Sequence, residues 1–150
     1  MSESELDEAD LQAIIEDHAS RQRYFGKMDD PDVAAFGYNP VCGDRYQIFL
    51  RLSDECIVEI QFTGYGWVIS RASASMMTEV LRNLSRSEAE RLIKDVENAL
   101  EHGASLPAGL LPDLVALLGV RRFPSRIKCV TLPWHAARAA LAGESMVSTE

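Results

Sequence analysis

The sequence has little of what export, membrane insertion or nucleic-acid binding requires. Only three cysteines occur in 150 residues, too few for the disulfide framework of a small secreted domain. No apolar run approaches the ~18 residues of a membrane span, and the acidic first residues do not resemble a signal peptide. The net charge of −8 would be repelled by a phosphate backbone, which argues against nucleic-acid partners. These absences predict a cytoplasmic protein with free thiols and no membrane association.

The composition that is present is typical of one globular domain. Hydrophobic residues make up 47% of the chain and charged residues 25%, and the length is sufficient for a buried core. We therefore predict a single domain over residues 1–150. An acidic, amphipathic N-terminal helix is predicted over about residues 6–23, and a flexible C-terminal tail over about residues 143–150.

Hydrophobic patterning predicts a β-hairpin followed by helices. Tyr46 to Leu52 and Ile57 to Phe62 are strand-like runs joined by the turn at residues 53–55, whereas the stretch before them, through Gly37, is predicted as a loop. Helices are predicted for residues 73–84, about 87–101 from a capping box at Ser87, 110–118 and about 124–142. This order predicts an α+β domain with helices packed on one face of a small antiparallel sheet.

Cys42, Gly43 and Asp44 form a possible metal-binding tripeptide. A thiolate and a carboxylate two positions apart can converge on one ion, and Gly43 leaves that ion unobstructed. Soft sulfur with one hard oxygen suits zinc or an iron–sulfur cluster. Taken alone, the tripeptide is weak evidence, because it far more often marks a free loop cysteine beside a turn aspartate.

Cys129 lies near the start of the last predicted helix, between the cations Arg126 and Lys128. Nearby cations and a helix N-terminus lower a thiol pKa, which predicts a reactive or metal-binding thiolate. Without other signals, a buried core cysteine is the simpler interpretation. Cys56 is a poor additional ligand, because it lies at the hairpin turn, about 30 Å from Cys42 at ~3.3 Å per residue.

Three segments together resemble a known family: residues 39–44, residues 64–79 and residues 126–129. They are similar to the iron–sulfur cluster scaffolds of the IscU/NifU-like family, and most closely to its SufU branch. Two details favour SufU: Trp67 and Cys129 are 62 positions apart, and a lysine, Lys128, precedes Cys129.

The resemblance implies a site and partners. SufU-like proteins hold zinc with three cysteines and an aspartate, and they accept sulfur from a cysteine desulfurase. The matching positions are Cys42, Asp44 and Cys129, while Trp67 stands where the remaining cysteine is expected. Cys42 would be the sulfur acceptor and Arg126 a cation beside the site. The implied partners are a SufS-like desulfurase and other SUF components, and the chain would be a scaffold rather than a turnover enzyme.

Trp67 leaves the nature of the site open. An indole N–H donates and cannot coordinate a metal, so zinc or a transient iron–sulfur cluster would have three ligands and one open position. Three interpretations follow: a working assembly protein that binds metal weakly, a partner-binding paralogue without metal, or a fold in which Trp67 merely caps the core. The histidines are expected to be ordinary surface or interface residues rather than replacement ligands: His18, His102 and His135.

Overall fold

Four strands and five helical segments form the part of the chain that this computed structural model describes, residues 7–149. The predicted N-terminal residue 6 and the last tail residue, 150, lie outside it. In chain order the elements are α1 (Glu8–Ser20), β1 (Val33–Tyr38), β2 (Arg45–Ser53), β3 (Cys56–Tyr65), α2 (Val68–Leu81), α3 (Arg86–His102), a 3₁₀ helix (Pro112–Arg122), α4 (Pro124–Leu141) and β4 (Met146–Ser148).

The sheet has the strand order β3-β2-β1-β4. The predicted hairpin is confirmed, because β2 and β3 pair antiparallel and Ser53 lies opposite Cys56 across the turn. The sheet is not wholly antiparallel, however, since β4 runs parallel to β1. Residues 146–148 thus form a strand where a flexible tail was predicted. The exposed edge of β1 explains the difference, because its unpaired backbone groups accept a partner strand.

β1 itself was missed, since residues 33–38 lie in the stretch predicted as a loop. Gly37 contributed to that prediction, but here it serves close packing within a strand. A Cβ at Gly37 would lie 3.1 Å from the side chains of both Ala136 and Leu132 in α4. Glycine therefore allows α4 to approach the sheet, and the loop prediction was wrong because this long-range contact leaves no local signal.

The helices follow the predictions with three corrections. α2 begins at Val68, five residues before its predicted start, and the 3₁₀ helix continues past Gly119, its predicted end. The capping box of α3 is formed by Ser85 and Glu88 rather than by Ser87 and Glu90: the Glu88 amide donates to Ser85 Oγ at 3.1 Å and the Ser85 amide to Glu88 Oε1 at 2.9 Å. The predicted α4 is confirmed, starting at Pro124.

The core lies where α2 and α4 pack against each other and the sheet. Trp134 of α4 is fully buried, and its indole N–H donates to Ser73 Oγ of α2 at 2.8 Å. Ser73 Oγ in turn donates to the Val130 carbonyl at 2.7 Å, which satisfies both polar groups. The architecture is the expected α+β class. Within residues 7–149, no helix has the length and apolarity needed to cross a membrane.

Candidate metal centre

The loop between β1 and β2 presents Cys42 through a set of short hydrogen bonds centred on Asn39. This side chain is 2% exposed, and its Oδ1 accepts from the amides of Val41 at 2.9 Å and Cys42 at 3.2 Å. The Asn39 amide donates to the Asp44 carbonyl, and the Gly43 amide donates to the Asn39 carbonyl. Gly43 has a φ of +78°, which favours glycine at this position. Hydrogen bonds within the loop therefore hold its conformation.

Cys42, Asp44 and Cys129 converge at this end of the sheet. One potential ligand atom from each lies within 4.8 Å of the other two. Cys129 and Asp44 are buried and Cys42 is half-buried. The structure thus brings together the three residues that the sequence singled out and leaves Cys56 outside the cluster, at the hairpin turn. Their role as ligands remains a prediction.

The Asp44 carboxylate is arranged as a cation would require. Its Oδ2 is buried and has no hydrogen-bond partner within residues 7–149, an arrangement that is costly unless a ligand satisfies the oxygen. The carboxylate is held close to the backbone, since a Cβ at Gly66 would lie 2.7 Å from this same oxygen. Two thiols and an unpaired carboxylate fit a zinc ion in chemical type.

The pKa of the Cys129 thiol is raised, whereas the sequence predicted a lowered pKa. Burial is the main cause, and the neighbouring Cys42 thiol and Asp44 carboxylate act in the same direction, against a smaller opposing effect of Arg126. The prediction failed because Cys129 is the sixth residue of α4, beyond the first turn where the helix dipole is strong. Without a cation, Cys129 keeps its proton at neutral pH.

Trp67 lies beside these residues with its ring on the surface. It is the N-cap of α2, is 49% exposed, and the guanidinium of Arg126 stacks 3.5 Å from the centre of its ring. A cation–π contact this close holds both side chains in place. Trp67 also lines a surface hollow shared with Cys42 and Asp44. The indole is therefore held at the rim of the cluster by Arg126.

Exposed apolar side chains surround the hollow, and the sequence analysis did not predict this apolar rim. Tyr65, Trp67 and Val68 line it, and Val41, beside Cys42, is 85% exposed. Their exposure carries no local signal, because each belongs to a strand end, a helix start or a loop whose orientation depends on the tertiary fold. An apolar rim around an accessible thiol is typical of a surface that contacts a partner.

The histidines lie outside the cluster. His18 is fully buried, with Nδ1 2.8 Å from Ser75 Oγ and Nε2 2.8 Å from Asp113 Oδ2. No local sequence pattern predicts this Ser–His–Asp chain, but Ser75 is as buried as His18, so no substrate reaches the Ser75 hydroxyl. This hydrogen-bonded chain instead joins α1, α2 and the 3₁₀ helix. His135 contacts Glu97 and Glu101 instead, and His102 ends α3.

Comparison with known proteins agrees with this fold. Residues 11–142 match the NifU-like N terminal domain family, and the chain belongs to that family. Among its relatives, the zinc-dependent sulfurtransferase SufU of Bacillus subtilis is 36% identical over 134 residues, which cover 87% of this chain and 88% of the relative. The iron–sulfur cluster assembly scaffold protein IscU of Streptococcus pyogenes is 36% identical over 86% of this chain and 80% of its own length.

A solved structure extends the similarity to the whole fold. The crystal structure described as a SUF-system iron–sulfur cluster assembly scaffold, from Fervidobacterium islandicum, superposes with a TM-score of 0.80 at 28% identity. The alignment covers 94% of this chain and 99% of that protein. The family and fold expected from the three sequence segments are thereby confirmed.

Proposed function

We propose that this chain is an iron–sulfur cluster assembly protein that accepts sulfur from a cysteine desulfurase at Cys42 and passes it to other SUF components. The observation that carries the proposal is the convergence of Cys42, Asp44 and Cys129 within 4.8 Å. These three residues keep a shared geometry although Trp67 occupies the fourth position. Free thiols at all three cysteines suit a reducing cytoplasm.

Accessibility supports Cys42 rather than Cys129 as the sulfur acceptor. Cys42 is half-buried in an open surface hollow, whereas Cys129 is completely buried. In the transfer, the Cys42 thiolate attacks the outer sulfur of the desulfurase persulfide. A new sulfur–sulfur bond forms on Cys42, the bond in the donor breaks, and the donor cysteine leaves as a thiolate. The step involves no net oxidation.

Cys42, Asp44 and Cys129 would hold zinc, and the same thiols would hold a transient iron–sulfur cluster as cargo. Bound zinc would favour the thiolate forms and offer one open coordination position. The residues of this chain contribute two further effects. The Asn39-centred loop orients Cys42, and burial of Asp44 and Cys129 excludes water from the inner side of the site.

A second candidate function is docking to the desulfurase or to SUF components without carrying metal. The observation that favours it is the exposed apolar rim formed by Val41, Tyr65, Trp67 and Val68. A tryptophan already held in place by an arginine is a suitable interface anchor, because little side-chain freedom is lost on binding. The interpretation of Trp67 as a core cap is not supported, since half of the side chain is exposed.

Sulfur transfer from a desulfurase supplied with radiolabelled cysteine tests the proposal. We expect label on the wild-type chain and on Cys56→Ser, and none on Cys42→Ser. Cys56→Ser is the matched control, because Cys56 is also half-buried but lies at the far end of the hairpin. Binding of the desulfurase without labelling would support the docking function instead. Label that persists in Cys42→Ser would contradict the acceptor assignment.

A further inference from the structure

One side chain at the C-terminal end of the described chain contacts both segments that supply the cysteines of the site. Thr149 Oγ1 accepts a hydrogen bond from Asn39 Nδ2 at 3.1 Å and donates one to the Lys128 carbonyl at 3.0 Å. Asn39 begins the loop that carries Cys42, and Lys128 immediately precedes Cys129. The Thr149 hydroxyl therefore bridges two segments that are distant in sequence.

Asn39 transmits this contact to the loop. Its amide nitrogen donates to Thr149, at both the hydroxyl and the backbone carbonyl (3.3 Å), while its amide oxygen accepts from the Cys42 amide at 3.2 Å. The two ends of one buried side chain thus connect Thr149 to the backbone of Cys42. An asparagine amide is planar, so the position of its nitrogen fixes the position of its oxygen.

The parallel strand β4 places Thr149 at this point. Phe36, Gly37 and Tyr38 of β1 pair with residues 146–148, and the Thr149 amide donates to the Tyr38 carbonyl at 3.4 Å. Thr149 directly follows the paired residues, so hydrogen bonds hold both its backbone amide and its side-chain hydroxyl. The chain segment predicted as a flexible tail is thereby tied to the metal centre.

We propose that Thr149 is a positioning residue that sets the separation of the Cys42 and Cys129 thiols. It contacts neither sulfur, and it acts through Asn39 on one side and the Lys128 carbonyl on the other. The consequence for metal binding rests on the proposed function, whereas the effect on the Cys42 loop does not. Hydrogen bonds that support a ligand residue commonly contribute about 10–100-fold to metal affinity.

Cobalt and zinc titrations of the full chain measure the effect on the site. We expect Thr149→Val, which keeps the shape and loses the hydroxyl, to weaken binding by about 10-fold or more. Thr149→Ser, which keeps the hydroxyl, should restore most of that affinity. Ser145→Ala is the matched control, because Ser145 lies in the same segment and its exposed side chain makes no hydrogen bond within residues 7–149. Equal affinities for the valine and serine variants would overturn the proposal.

Amide hydrogen exchange on metal-free protein separates this inference from the proposed function. Loss of one bridging hydrogen bond should lower the protection of the Cys42 and Gly43 amides by about 3-fold or more in Thr149→Val. The β2–β3 hairpin should exchange as in the wild type. Unchanged protection of Cys42 and Gly43 would overturn the positioning role even if the chain binds zinc. Reduced protection in a chain that binds no metal would support the role and contradict only the proposed function.

Discussion

Within residues 7–149, two groups of side chains have the composition of a metal site, and they differ in how their charge is balanced. In the first group, Cys42, Asp44 and Cys129 include a buried carboxylate oxygen without a hydrogen-bond partner. In the second, Glu97 and Glu101 of α3 face His135 of α4. Both groups gather their potential ligand atoms within 4.8 Å, so proximity alone does not distinguish them.

The carboxylates of the second group face a cation, Arg138, and an imidazole, His135. Glu97 Oε2, like Asp44 Oδ2, is buried and makes no hydrogen bond of good geometry, but it lies 2.7 Å from His135 Nδ1 and 3.3 Å from the Arg138 guanidinium. Glu101 lies 2.9 Å from the other nitrogen of His135. Asp44 has no such contact within residues 7–149. The comparison shows that a ligand-like cluster with a cationic side chain inside it is a salt-bridge network. A cluster that leaves its carboxylate unpaired has room for an external cation.

The largest expected effect is loss of metal on removal of one ligand. Cys129→Ser should reduce zinc affinity by several orders of magnitude, because structural zinc sites contribute about 10–16 kcal/mol shared among few ligands. Glu97→Gln, at the second group, should leave the zinc content unchanged. Metal analysis of protein purified without chelator measures both. Zinc that is lost from the Glu97 variant and retained in the Cys129 variant would reverse the assignment of the two groups.

Trp67→Cys is the next largest change, since it restores the residue that the family resemblance leads us to expect. A fourth ligand closes the open position, so zinc should bind more tightly by about two orders of magnitude or more. Titration calorimetry in competition with a zinc chelator measures the difference in zinc affinity between the wild type and Trp67→Cys. If the wild type contains near-stoichiometric zinc, three residues suffice and the sulfur-transfer function is supported. If only the variant binds zinc, the wild-type fold keeps the pocket without binding the ion, and the docking function is favoured.

Stability without metal should change in opposite directions at the two carboxylates. Asp44→Asn replaces a buried carboxylate that has no hydrogen-bond partner with a neutral amide, so we expect the metal-free protein to gain about 1–2 kcal/mol in its free energy of unfolding. Glu97→Gln removes the negative charge that faces the Arg138 guanidinium and the His135 imidazole, so we expect a loss of about 1–3 kcal/mol. Urea unfolding in the presence of chelator measures both. Changes of the same sign would remove the distinction between the groups.

The smallest expected effect is a pH dependence from the second group. Burial lowers the pKa of His135, but hydrogen bonds and charge from Glu97 and Glu101 outweigh it, and the pKa lies above its ordinary value. A raised folded-state pKa stabilises the protein fully below the unfolded value of about 6.5, and this contribution is lost as the pH rises through the folded value. The free energy of unfolding, measured between pH 5.5 and pH 9, should fall with rising pH in the wild type. It should change little in His135→Gln. An equal pH dependence in both would exclude His135 as its origin.

The sequence predicted the parts of this molecule whose signals are local. The alternation of apolar and polar residues predicted the β2–β3 hairpin, and Pro124 predicted the start of α4. Short motifs singled out Cys42, Asp44 and Cys129. What it missed depends on contacts between distant segments. The strand β1 depends on the packing of Gly37 against α4, and β4 depends on the free edge of β1. The raised pKa of Cys129 depends first on its burial and then on Cys42 and Asp44 beside it.

The two tryptophans occupy such different surroundings that the chain carries its own pair of optical probes. Trp134 is sealed in the core and hydrogen-bonded to Ser73, so its emission follows unfolding. Trp67 is half exposed under the Arg126 guanidinium beside the thiols, where a docked partner would remove water from its ring. With Trp134→Phe or Trp67→Phe as reference, fluorescence alone can follow occupancy of the site separately from the integrity of the fold.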